Sequence, residues 1–140
     1  MAPDAAEERI AIESDSDVVT ARQRARELAA RLDLTTTDQT LLATAISEVA
    51  RNITTYAKRG EVLLSIIRDT GGREGIRVIA RDDGPGIEDI ERALQDGYTS
   101  GGGLGLGLPG ARRLVDEFAI ESAPSEGTTV TLVKWSRARY

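Results

Sequence analysis

Apolar residues recur every three or four positions at Val18, Ala21, Ala25, Leu28 and Leu32, which marks one face of an amphipathic helix opened by Asp15 and Asp17. Before it, Arg9-Ile10-Ala11-Ile12-Glu13 alternates as a short edge strand does, and residues 1–8 are polar and Ala-rich, the composition of a flexible tail. Thr35-Thr36-Thr37-Asp38 is an N-cap sequence. The helix that follows buries a stripe at Leu42, Ile46, Val49 and Ile53 and runs to the C-terminal signals Lys58-Arg59-Gly60. Residues 61–70 and 75–82 are β-rich runs joined by Gly71-Gly72-Arg73-Glu74, a hairpin loop.

Further along, Ile87, Ile90 and Leu94 suit a short helix, and residues 96–107 then hold six glycines in twelve positions, which suits neither a helix nor a strand. Pro109 fits the first turn of another helix, with Leu108, Ala111, Val115 and Phe118 on one face. Residues 118–122 and 128–135, bracketing Pro124-Ser125-Glu126-Gly127, read as a closing antiparallel pair. Early and late hairpins forbid a purely parallel sheet. The pattern predicts an α/β (α+β) two-layer sandwich, with a mixed, mostly antiparallel sheet and about three helices on one face. A single domain over residues 9–136 is the expected unit, since a chain of 140 residues suffices for one core.

Composition narrows the chemistry. With one Trp, one Phe and three Tyr, the core must be aliphatic. A net charge of -5 argues against a surface that neutralises nucleic-acid phosphates. The absence of Cys removes disulfides and thiolate chemistry, and the absence of His removes a Ser-His-Asp triad, a His metal ligand and a phosphoacceptor histidine. The N-terminus lacks a basic segment followed by an apolar one, and no apolar run approaches membrane-spanning length. A cytoplasmic protein with no nucleic-acid or membrane partner is expected.

Three groups of residues then stand out. Glu48 and Asn52 stack at neighbouring turns, on the flank of the apolar stripe, where a carboxylate could act as a base and a carboxamide oxygen could meet Mg²⁺. The same spacing also occurs on ordinary solvated helix faces. Asp82 ends a β-rich run and is followed by Asp83-Gly84-Pro85-Gly86; its carboxylate can accept from an exocyclic amino group such as adenine's, with Gly84 and Gly86 letting the backbone come close. A plain turn has the same chemistry. Gly102, Gly103, Gly105 and Gly107, interleaved with Leu104 and Leu106, run into a helix start, a junction that favours phosphate. The spacing is not that of a Walker loop, no Lys follows it, and the Rossmann order of strand and glycines is absent.

In this order, Glu48-x-x-x-Asn52, Asp82-x-Gly84-x-Gly86, Gly102-Gly103-Leu104-Gly105-Leu106 and Gly127-Thr128-Thr129 resemble the N, G1, G2 and final boxes of the GHKL ATPase/kinase superfamily, which has the Bergerat ATP-binding fold. Residues 45–53, 82–87, 102–110 and 113–118, with Val133-Lys134-Trp135, are similar to the small serine/threonine kinases of bacterial partner-switching systems, the RsbT type found in stressosomes. The resemblance implies ATP and Mg²⁺ as cofactors, Glu48 as catalytic base, Asn52 as Mg²⁺ ligand and Asp82 as the adenine reader. It further implies that Gly84 and Gly86 line the base pocket. Gly102, Gly103, Leu104, Gly105, Leu106 and Gly107 would form a lid over the phosphates, and Thr128 would support Asp82 through water. The three consecutive glycines 101–103 allow two registers for the lid. Implied partners are STAS-domain antagonist and scaffold proteins and the regulatory domain of a PP2C-type phosphatase. An anti-sigma factor kinase of the RsbW type uses the same site. Lys58, Arg59 and Arg112, near helix ends, compensate helix dipoles or reach phosphate.

Overall fold

A computed structural model describes residues 7–87, 93–94 and 107–137. The chain order is strand β1 (Glu8–Ile12), helices α1 (Asp15–Arg31) and α2 (Thr36–Asn52), strands β2 (Gly60–Arg68) and β3 (Glu74–Asp82), helix α3 (Gly107–Leu114), and strands β4 (Glu117–Ser122) and β5 (Thr128–Trp135). The short helix expected around Ile90 and the glycine-rich residues 101–106 lie outside the described residues. No helix among the described residues is long and apolar enough to cross a membrane.

The five strands form one sheet in the order β1-β2-β3-β5-β4. All four pairings are antiparallel, so no parallel component of a mixed sheet is found among the described residues. The register places Val62, Leu64, Ile76, Val78, Ala80, Val130 and Leu132 on the helix-facing side, all of them buried. Against them pack Val18, Ala21, Ala25 and Leu28 of α1 and Leu42, Ile46 and Val49 of α2, the stripes read from the sequence. Each fully buried Leu or Ile contributes roughly 1.5–3 kcal/mol relative to exposure. The same alternation brings Asp82, two positions beyond Ala80, onto this side at the sheet's end. Asp82 thus stands at the end of β3, paired with Gly60 and Thr128.

Local sequence accounts for the element ends. Thr35 caps α2, its hydroxyl accepting the Asp38 N–H at 3.0 Å. At α1, Asp17 accepts from the Glu13 N–H at 2.8 Å. β1 starts at Glu8, a residue expected in the tail; its carboxylate is tied to Arg24 at 2.7 Å. The regular part of α2 stops at Asn52 instead of reaching Lys58. A π-helical turn, Ile53–Ala57, follows it, and Lys58 reverses the chain with φ +72°. The β-branched run Ile53-Thr54-Thr55 favours this departure from α geometry. α3 ends at Leu114 instead of continuing through Phe118, because the chain turns at Asp116 to enter β4, where Phe118 pairs with Leu132.

Candidate nucleotide site

Glu48 and Asn52 both lie half-buried on α2, one turn apart, at the border of its apolar stripe as expected. The Glu48 side chain is 10% exposed, and its Oε2 accepts from Arg51 Nη1 at 3.1 Å. Its Oε1 accepts from the backbone N–H of Gly107, the first residue of α3, at 2.9 Å. The carboxylate thereby occupies the positive end of that helix. Gly107 reaches this geometry with φ +67°, a left-handed backbone natural to glycine. Asn52 is the last residue of α2, and its carboxamide makes no capping bond to the π-helical turn beyond it.

Asp82 closes β3 beside the first residue of β2, Gly60, where an added Cβ would come within 2.5 Å of the Arg81 carbonyl oxygen. Burial pushes the Asp82 carboxyl above the ordinary range; hydrogen bonds from the backbone N–H groups of Gly84 and Thr128 pull partly the other way. The Gly84 N–H reaches Oδ1 at 2.8 Å. Gly84 and Gly86 fall where the sequence put them, but their missing side chains face protein. A Cβ on Gly84 would meet the Ala57 Cβ at 2.6 Å, and one on Gly86, at φ +80°, would meet the Ala123 carbonyl oxygen at 1.9 Å. Their lack of a side chain welds the Asp82-Asp83-Gly84-Pro85-Gly86 loop to the π-helical turn on one side and to the β4–β5 connection on the other.

Ser122 joins the same assembly without having been singled out from the sequence. Its Oγ accepts from the Ile87 N–H at 2.8 Å, donates to the Gly127 carbonyl at 2.9 Å, and lies 2.8 Å from Thr128 Oγ1. The Ser125 N–H adds a bond to the Pro85 carbonyl at 2.6 Å. Gly127, at φ +76°, comes so close that a Cβ there would lie 2.1 Å from the Asp82 carbonyl oxygen. Thr128 is paired directly with Asp82 across the β3–β5 ladder. The sequence pointed here through the turn Pro124-Ser125-Glu126-Gly127 and the box Gly127-Thr128-Thr129, with Thr128 expected to support Asp82; Arg51 lies within the matched stretch 45–53 without having been given a role, and Ser122 and Ala57 carry no motif. Arg112 sits in the last turn of α3 and donates to the Leu94 carbonyl at 3.4 Å. Of the expected lid, only Gly107 is described, and it joins Glu48.

Among the described residues, no three acidic, His or Cys side chains gather to hold a metal. The Asn52 carboxamide oxygen is a hard donor of the kind Mg²⁺ accepts beside phosphates and waters.

Residues 37–138 match the family model described as Histidine kinase-, DNA gyrase B-, and HSP90-like ATPase. The serine/threonine-protein kinase RsbT of Bacillus subtilis is 45% identical over 128 residues, covering 91% of this chain and 96% of that one. An anti-sigma F factor of Geobacillus stearothermophilus is 34% identical over 121 residues, 81% of each. Among solved structures, the RsbU and RsbW domains of a Mycobacterium tuberculosis protein superpose with a TM-score of 0.58 at 22% identity, over 94% of this chain and 34% of that one. The mycobacterial sensor histidine kinase MprB superposes with a TM-score of 0.56 at 19% identity, over 94% and 99%. These two share the fold. By its matched model and its near-full-length kinase relative, the chain belongs to the histidine kinase-, DNA gyrase B- and HSP90-like ATPase family, and within it to the ATP-dependent serine/threonine protein kinases of the RsbT type.

Proposed function

We propose that the protein transfers the γ-phosphoryl group of Mg-ATP to a serine or threonine hydroxyl on STAS-domain antagonist and scaffold proteins, and activates a PP2C-type phosphatase once released from them. The observation that carries this reading is the placement of Glu48, a shielded carboxylate at the head of α3, where a helix end favours phosphate. Glu48 takes the proton of the acceptor hydroxyl as its oxygen attacks the γ-phosphorus in line, and the β–γ bridging oxygen leaves with ADP. Asp82 accepts from the adenine amino group, and the loop through Gly86 holds the base in place. Asn52 would give Mg²⁺ its one protein oxygen; the ion supplies charge neutralisation on the phosphates. The residues at 102–107 would cover those phosphates. A cytoplasmic location accords with such partners.

A second reading, sequestration of a sigma factor by an RsbW-type anti-sigma kinase, draws on the anti-sigma F relatives. Their identity is 34% or less against 45% for the RsbT relative, which favours the first reading. Titration with ATP and phosphotransfer from labelled ATP to a co-encoded STAS-domain protein test the proposal. Glu48→Gln should leave ATP affinity nearly intact while lowering transfer by about 10²- to 10⁴-fold, the span of general base catalysis. Equal loss of both would remove Glu48 from that role, and capture of a sigma factor without phosphotransfer would favour the second reading.

A further inference from the structure

The Glu48 carboxylate is not poised in open space. One oxygen is held by the Gly107 N–H at 2.9 Å and the other by Arg51 at 3.1 Å, although these two partners lie on different helices. Gly107 heads an eight-residue helix whose first N–H groups have no acceptor within the helix. A carboxylate oxygen and a phosphate oxygen are the same kind of acceptor for such a donor. Two anions cannot share it closely, because their mutual repulsion in a partly buried site outweighs half a hydrogen bond each. Among the described residues, the nearest atom a Cβ on Gly107 would meet is Pro109 Cδ, at 3.6 Å.

We propose that the Gly107 N–H is an exchangeable donor, held by Glu48 when the site is empty and by an oxygen of the β- or γ-phosphate when ATP binds, so that the nucleotide itself releases the base toward the acceptor hydroxyl. Arg51 keeps hold of the second oxygen during the exchange, so the carboxylate pivots about that contact and stays near α3. Arg51 is a positioning residue in this scheme, exposed enough at 50% to follow the motion. AMP, which ends at the α-phosphate, lacks the group that would displace Glu48. The inference rests on the base role assigned to Glu48.

The test uses the full ¹⁵N-labelled chain, following the Gly107 amide resonance. In nucleotide-free protein, Glu48→Ala should move that resonance upfield, and Glu48→Gln, which keeps a neutral acceptor, should move it part of the way. Adding Mg-AMP-PNP should bring wild type and Glu48→Ala to a common position, whereas AMP should leave the wild-type resonance where it was. Removing the competitor should also tighten AMP-PNP binding several-fold in Glu48→Ala and leave AMP binding unchanged. An unaltered Gly107 resonance in both nucleotide-free variants would overturn the exchange, as would an equal response to AMP and AMP-PNP. Phosphotransfer by Glu48→Gln reports separately: full activity there would remove the base role, whatever the amide does.

Discussion

Lys134 Nζ lies 3.5 Å from Asp38 Oδ1, with only 4% and 5% of the two side chains exposed. The ammonium also donates to the Leu114 carbonyl at 3.1 Å and approaches Asp116 Oδ1 at 3.8 Å. Arg137 donates to the second Asp38 oxygen at 3.1 Å. The start of α2, the end of α3 and the end of β5 thus meet on one buried cation. At their other ends the same two helices meet through Glu48 and Gly107. The helix that carries the candidate base is therefore fixed against α3 at both extremities.

Lys134→Met should destabilise the protein by about 3 kcal/mol, the lower end of the cost of breaking a buried pair, because Arg137 still faces Asp38. Lys134→Met combined with Asp38→Asn should recover much of the loss, since no uncompensated charge then stays buried. Urea unfolding of the two single variants and the double variant measures this coupling. A loss below about 0.5 kcal/mol in Lys134→Met, the range of ordinary surface substitutions, would show that the cation holds nothing together.

Gly86 and Gly72 separate backbone strain from collision. Both have positive φ, +80° and +85°, yet a Cβ on Gly72 meets nothing within 4 Å while one on Gly86 strikes the Ala123 carbonyl oxygen. Gly72→Ala should cost about 1–2 kcal/mol, the left-handed penalty alone. Gly86→Ala should cost distinctly more and lower ATP affinity, because the loop after Asp82 must lift off the β4–β5 connection. Equal thermal shifts for the two variants, with ATP binding unaffected, would contradict the tight seating of that loop.

Ser122→Ala removes the acceptor of the Ile87 N–H and a partner of Thr128 Oγ1. A fully buried donor left unpaired costs about 1–3 kcal/mol; the Ile87 bond is partly buried, so Ser122→Ala should be less stable by about 1 kcal/mol, the low end of that range, and amide exchange at Ile87 should accelerate. Ser122→Thr keeps the hydroxyl and should restore slow exchange if its added methyl fits. Unchanged exchange at Ile87 in Ser122→Ala would mean that the hydroxyl does not pin the loop.

What the sequence disclosed was mostly periodic. The stripes of α1 and α2, the Thr35 cap and both hairpin pairs follow from contacts between near neighbours, and all appear in the fold. The position of β5 between β3 and β4 is a long-range choice that no local pattern encodes. At Ile53–Ala57 the apolar period continued while the backbone widened, so the helix looked longer than it is. Phe118 had helical spacing from Ala111 and Val115 but belongs to a strand, a short-run ambiguity between the two periods. Within the site, Glu48, Asn52, Asp82, Gly84 and Gly86 carried motif spacing. The Glu48–Gly107 bond, across 59 positions, and the Ser122 hub had no local signature.

On the adenine contact proposed for it, Asp82 would link nucleotide recognition to pH. Burial raises its carboxyl above the ordinary range, so the folded protein binds that proton more tightly than the unfolded chain does. The stability tied to this group is therefore fully present below the unfolded pKa and is lost as pH rises through the raised folded value; at neutral pH the ionised form is a burden on the fold. Asp82→Asn should accordingly hold or gain stability at pH 7 relative to wild type, and that advantage should shrink as the pH falls toward and below the unfolded carboxyl's value. Nucleotide binding should respond in the opposite sense. An ionised acceptor for the adenine amino group makes Asp82→Asn lose about ten- to hundredfold in ATP affinity, the worth of a hydrogen bond to a charged group. Wild-type affinity should fall as pH drops through the raised Asp82 value, while the weak affinity of Asp82→Asn stays level over that window. Calorimetric titration across that range, with urea unfolding at each pH, reads both effects. Parallel affinity profiles for the two proteins would take the adenine contact away from Asp82.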